Sequence, residues 1–181
     1  MRAIPFALQT TLCLMLGTGS ALAETLYYPN QNNVEFTLEV PDDWDQSKEK
    51  DDDGILRITV TSDNGAAFQV AKTDITSEND LESFIADTIK GTRDYLKENY
   101  KDVKFENPKI VEKDDNAGVA TYVGGGKAIS KDDGKVYVFE SVLVAGKERV
   151  IEFWLESAED DKEGGQRLED IAKSFKKAAG A

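Results

Sequence analysis

Val136-Tyr137-Val138-Phe139-Glu140-Ser141-Val142-Leu143-Val144 leads through a short polar turn, Ala145-Gly146-Lys147, into Arg149-Val150-Ile151-Glu152-Phe153-Trp154-Leu155. Both segments are rich in β-branched and aromatic residues, which suit a pleated strand. Tyr137, Phe139 and Leu143 fall on one face of the first, while Val136, Val138, Val142 and Val144 fall on the other. In the second, Ile151, Phe153 and Leu155 oppose Val150 and Trp154. A strand that is apolar on both faces is covered on both faces. These two strands therefore lie inside a sheet that has a layer on each side.

Outward from this pair, Phe105–Val111 and Ala117–Val123 predict two more strands, linked by Asp114-Asp115-Asn116 and followed by the turn Asp132-Asp133-Gly134. Connections this short make successive strands antiparallel neighbours. Pro108 has no N–H to give to a ladder, so its strand belongs near a sheet edge. Further upstream, Val34, Phe36, Leu38 and Val40 alternate with polar residues until Pro41 ends the strand. Ile55–Val60 and Ala67–Ala71 flank Asp63-Asn64-Gly65, a hairpin signal, because such turns favour positive φ. The stretch from Asp42 to Gly54 is predicted as a charged loop in which Trp44 alone packs inward.

Two helices complete the set. Leu81, Phe84, Ile85, Thr88, Ile89, Thr92, Tyr95 and Leu96 share a face at 3.6-residue spacing, with Ser77 and Asp80 resembling a capping box and Gly91 marking a break or a close contact. Leu168, Ile171, Ala172 and Phe175 define a closing helix, and the tail from Lys176 reads as loose. The sum is an α+β chain: a three-layer α/β/α sandwich around a mainly antiparallel sheet of about six to seven strands, with one long and one C-terminal helix as the two covers.

The N-terminus reads as an export signal. Arg2 precedes an apolar stretch from Ala3 to Leu16, then small residues, then Ser20-Ala21-Leu22-Ala23, an A-x-A cleavage pattern with Glu24 following. The apolar stretch is shorter than the roughly 20 residues of a membrane span. Residues 1–23 are expected to be removed near Ala23, leaving residues 24–181, about 158 residues, as one periplasmic or secreted domain. Cys13, the only cysteine, goes with the signal, so packing alone must hold the rest.

The full chain has 22 basic and 35 acidic residues. Without Arg2, 21 basic residues face 35 acidic ones, a net charge of about −14. Such a field repels phosphate backbones and anionic lipid heads, which argues against nucleic acid and against membrane insertion after cleavage. Cations and basic protein faces suit it better; it also serves simply to keep an exported monomer in solution.

Candidate chemistry is sparse. The chain has no histidine, which removes the usual general base near neutral pH and the commonest zinc ligand. Ser174-Phe175-Lys176-Lys177, Ser62-Asp63-Asn64 and Lys72-Thr73-Asp74 mimic the three motifs of penicillin-recognising enzymes, but the S-x-x-K serine lies at the end of the chain instead of opening an early helix. Gly124-Gly125-Gly126-Lys127 lacks the following Ser or Thr of a phosphate loop and is expected as a loop or bulge. Glu49, Asp51 and Asp53 with Gly54 match the opening of a calcium loop, a candidate site for a divalent cation, although Val60 stands where the bidentate acid belongs. The other view of this charge run is a solvated loop. No cofactor and no catalytic residue are expected.

Phe36-Thr37-Leu38-Glu39-Val40-Pro41-Asp42-Asp43-Trp44, a strand ending in Pro-x-x-Trp, resembles the opening of the PsbP-like family, which unites PsbP, the Ran-binding Mog protein and bacterial exported DcrB-type proteins. The order of elements, down to Leu168-Glu169-Asp170-Ile171-Ala172-Lys173-Ser174-Phe175, fits as well. Pro41 and Trp44 are then structural, one ending the strand and the other plugging the core. The resemblance implies an α/β/α sandwich that acts by binding other proteins. Three functions are expected in order: a non-enzymatic exported protein that docks to a basic partner through its acidic surface, a small-molecule or divalent-cation binding module, and an enzyme working through carboxylates.

Overall fold

The computed structural model describes residues 23–75, 80–115 and 117–178; the expected signal segment before Ala23 and Ser77 of the expected capping box lie outside them. The elements are β1 (Ala23–Asn30), β2 (Asn33–Pro41), β3 (Asp45–Lys50), β4 (Leu56–Thr61), β5 (Ala67–Asp74), α1 (Leu81–Asn99), β6 (Tyr100–Asp114), β7 (Val119–Ser130), β8 (Val136–Ala145), β9 (Arg149–Ala158), α2 (Lys162–Lys173) and β10 (Lys176–Lys177). A seven-stranded antiparallel sheet runs in the order β3-β4-β5-β9-β8-β7-β6, and a three-stranded sheet runs β1-β2-β10. The fold is α+β in three layers with β8 and β9 inside the large sheet; β9 is covered on both faces, whereas β8, against its two-sided apolar pattern, leaves Val138 41% exposed on one of them.

The covers differ in one respect from the expected pair of helices. On the first face of the large sheet, α2 shares the work with the small sheet. Phe36, Leu38 and Val40 of β2 meet Ile58, Val60, Phe68, Val70, Phe153 and Leu155, with Leu168 and Ile171 of α2 closing the same cluster. Each of these side chains contributes roughly 1.5–3 kcal/mol by leaving water. Tyr28 ties the two sheets: its hydroxyl donates to the Leu56 carbonyl (2.8 Å) and accepts from the Lys72 N–H (3.1 Å). Its ring stacks on Phe36 at 4.5 Å. Ser174 Oγ accepts from the Glu39 N–H (2.7 Å) and donates to the Ile171 carbonyl (2.6 Å), pinning the end of α2 to β2.

The second face is covered by α1. Leu81, Phe84 and Ile85 lie over Leu143, Ala145 and Val150, and Leu96 lies over Phe139 and Ala128. The helix starts at Asp80, whose carboxylate accepts from the Ser83 N–H (2.8 Å). It runs unbroken through Gly91, where an added Cβ would meet nothing within 4 Å, so that glycine marks neither a break nor a close contact.

Three loop expectations are corrected. Asp45–Lys50 is a strand, because its backbone completes the ladder with β4 although all six side chains are exposed. Gly124-Gly125-Gly126 is neither a loop nor itself a bulge: it lies within β7, with Gly125 and Gly126 paired to Glu106 and Phe105, and the extra residues of the register shifts are on β6. Lys176 and Lys177 are not loose: they pair with Thr37 and Phe36.

Candidate functional site

The acidic residues concentrate on one edge of the large sheet. Between residues 42 and 53 there are seven carboxylates and two lysines; over β6, at the opposite edge, four lysines and four carboxylates balance. Alternation sorts the charges of β3. Asp45, Ser47 and Glu49 stand opposite Thr61, Thr59 and Arg57, whereas Gln46, Lys48 and Lys50 stand opposite Val60, Ile58 and Leu56 and so point to the other side. Of the seven carboxylates, Asp43 is held by Arg167 (2.9 Å) and Asp51 faces Arg57 (3.8 Å). Asp42, Asp45, Glu49, Asp52 and Asp53 have no ion pair among the described residues.

The candidate cation ligands do not converge. Glu49 lies on β3, and Asp51 Oδ1 is spent on its own turn, accepting from the N–H groups of Asp53 (3.1 Å) and Ile55 (2.9 Å). Gly54 closes the turn with φ of 79°. Among the described residues no three acidic side chains are grouped to hold a metal ion. Pro41 and Trp44 bracket a tight turn, Trp44 N–H to Pro41 carbonyl at 3.3 Å, and the Trp44 ring is buried in the first-face core. Among the decoys, Ser174 is a helix cap and Lys72 is paired with Glu35 (2.8 Å).

A second feature lies on the far side of α2. The helix packs on β9, β5 and β2. Between it and β8 runs an open groove of about 480 Å³, lined by Val138, Glu140, Leu155, Ser157, Gln166 and Glu169 among others. Most of its carboxylates have work to do. Glu169 holds Lys173 (2.9 Å), Glu159 holds Lys127 (2.9 Å), and Asp161 caps α2 through the Gly164 N–H (2.9 Å). The hydrogen bond from Lys127 keeps the Glu159 carboxyl below the usual range. Glu140 has no hydrogen bond or ion pair among the described residues, and partial dehydration, with Glu169 nearby, raises its carboxyl despite an opposing pull from Lys173.

On the second face the polar groups are locked together. The Glu156 carboxylate accepts from Trp154 Nε1 (3.0 Å), from the Tyr95 hydroxyl (3.2 Å) and from the Tyr100 hydroxyl. Burial and the neighbouring carboxylate push Tyr95 up to about 12 and raise Tyr100 as well. Both phenols therefore stay protonated donors near neutral pH, which suits a structural clasp and not a base. The nearby rings of Tyr137 and Phe139 meet Tyr100 edge-on.

Glu152 is different. It sits between Ala71 and Leu143, and burial pushes its carboxyl up, with Arg57 opposing. A carboxyl raised by folding stabilises below its unfolded value, about 4.3, and loses that contribution as pH rises through the folded value. Glu152→Gln is thus expected to raise the melting temperature by a few degrees at pH 8 and to leave it nearly unchanged at pH 3, where the carboxyl is largely protonated in both states. Equal gains at both pH values, or a loss at pH 8, would refute the assignment.

Sequence reasoning passed over Glu140, Glu152 and Glu156. A signal was present: each interrupts an otherwise apolar strand, where a carboxylate needs a reason to be.

The fold has solved counterparts. Cyanobacterial PsbP (CyanoP) from Synechocystis sp. PCC 6803 is similar with a TM-score of 0.61 and 16% identity, over 92% of this chain and 99% of that one. LpqN, involved in cell envelope biogenesis of Mycobacterium tuberculosis, is similar with a TM-score of 0.51 and 15% identity, over 87% of this chain and 91% of that one. No family model and no curated sequence matches. The structural likeness establishes a PsbP-like fold.

Proposed function

Starting from a PsbP-like fold, we propose that this chain is an exported, non-enzymatic protein that acts in the periplasm or outside the cell by docking to a protein partner with a basic surface. The observation that carries this proposal is the β3 edge, an outermost strand flanked by five carboxylates without an ion pair among the described residues. The opposite edge is charge-balanced, so the field points one way and steers a basic partner to one side. Absence of histidine from the chain, and of cysteine after Cys13, supports binding in place of turnover. LpqN, a protein of the same fold, is tied to the cell envelope, which is consistent with an extracytoplasmic role here. Among the described residues no helix is long and apolar enough to cross a membrane.

The test is capture from periplasmic extract on immobilised protein. A partner is expected to be retained at low salt and released at high salt, since exposed charges are screened within about 10 Å at 0.1 M. The variant Asp45→Asn/Glu49→Gln/Asp52→Asn/Asp53→Asn is expected to lose about tenfold in retention, equivalent to about 1.4 kcal/mol. Undiminished retention by that variant would remove the acidic edge from the interface.

A further inference from the structure

We propose that the groove between α2 and β8 receives a lysine or arginine side chain from the partner, seated between Glu140 and Glu169. This rests on the acidic-docking function above and names a second contact for it. The first ground is geometric. Because α2 is laid over β9, β5 and β2, the first face of the sheet from β8 outward has no layer over it among the described residues. Val138 is 41% exposed there, and Val123, Ile129 and Val136 are half-buried. Along β8, Val136, Val138, Val142 and Val144 share this face with one exception, Glu140. An aliphatic strip broken by a single carboxylate fits a long cationic side chain, whose methylenes lie along the valines while its head reaches the acid.

The second ground is chemical. Of the other acids around the groove, Glu159 and Glu169 each hold a lysine of the chain, Asp161 caps the helix and Glu156 accepts from Trp154 and Tyr95, whereas Glu140 has no hydrogen bond or ion pair among the described residues. Lys173 acts on Glu140 electrostatically, but its ammonium is placed on Glu169 at 2.9 Å. Glu169 lies near enough to Glu140 to repel it, a repulsion that Lys173 offsets only in part, and a further cation seated between the two carboxylates relieves the rest. An arginine fits best, because its planar fork can reach one carboxylate on the strand and another on the helix. Gly125 stands opposite Glu140 on β7 and leaves that position open, while Lys127 of the same strand, opposite Val138, is held by Glu159.

The test titrates the purified protein with two capped pentapeptides, Val-Arg-Val-Arg-Val and Val-Glu-Val-Glu-Val, following backbone amide shifts by NMR. The arginine peptide is expected to move Val138, Glu140, Gln166 and Glu169 in a saturable way, and the glutamate peptide to move none of them. Glu140→Gln/Glu169→Gln is expected to weaken the arginine peptide by about tenfold with the melting temperature held within a few degrees. Shifts confined to β3 would overturn the groove and leave the acidic-edge function standing. Equal shifts with both peptides would overturn charge recognition in the groove. If no residue moves and salt-sensitive capture also fails, the groove and the function fall together.

Discussion

Gly126→Ala is expected to leave little folded protein at room temperature. A Cβ built at Gly126 would lie 1.8 Å from the Lys104 carbonyl oxygen and 2.8 Å from Phe105 Cα. Both are backbone atoms of a paired strand, so no side chain can swing aside. Gly124 and Gly125 are hemmed in as well, by Glu106 O at 2.7 Å and Phe139 O at 2.6 Å. Gly126 and Gly125 pair with Phe105 and Glu106 between two register shifts of β6, Lys101/Lys104 and Glu106/Lys109, and Gly124 faces the second, where the bulged backbone lies against β7. Relief requires breaking the β6–β7 ladder, a loss above about 4 kcal/mol in a domain whose whole stability is about 5–15 kcal/mol. Circular dichroism during thermal unfolding checks it, with Gly91→Ala as control. That helix position has open space, and alanine there is expected to add about 1 kcal/mol. A Gly126→Ala protein melting within a few degrees of the parent would show that the bulge yields.

Trp44→Ala comes next in size, with an expected loss of about 3–5 kcal/mol, the usual cost of emptying a large aromatic site. Trp44 is 6% exposed and belongs to the cluster that joins both sheets and α2. Its place depends on the turn after Pro41, and no apolar residue between Asp42 and Gly54 can fill the void. Denaturant unfolding measures the loss, and Trp44→Phe is expected to restore most of it. A loss below about 1 kcal/mol would show that the core closes without the indole.

What was legible in the sequence follows from what its patterns record. Alternation records burial, so β2, β4, β5, β8 and β9 stood out through residues such as Phe36, Ile58 and Phe153. β3 was invisible for the same reason: Asp-Gln-Ser-Lys-Glu-Lys buries nothing, and only hydrogen bonding to β4 makes it a strand. β1 offers just Leu26 and Tyr28 to the core, too few to establish a period. Pro108 correctly placed β6 at an edge, but the strand extends from Tyr100 to Asp114 because bulges let it follow β7 past the proline. The first-face cover was half legible, since α2 showed its stripe whereas the pairing of β2 with β1 and β10 depends on residues far apart in the chain. The candidate site was less legible still. Charge was countable, and the i,i+4 pair of Glu169 with Lys173 follows from helical spacing, but which other carboxylates are left without a cation depends on where Arg57, Lys127 and Arg167 fold back. That cannot be derived from spacing.

The small sheet also sets a timetable. β2 is among the first strands made, yet its outer neighbour β10 and the Ser174 hydroxyl that meets Glu39 arrive 135 or more residues later. Contacts so distant in sequence form slowly. Until the last helix has been synthesised, Phe36 is without Phe175 beside it, and the small sheet remains incompletely closed. Docking of that final segment is then the step that shuts the structure.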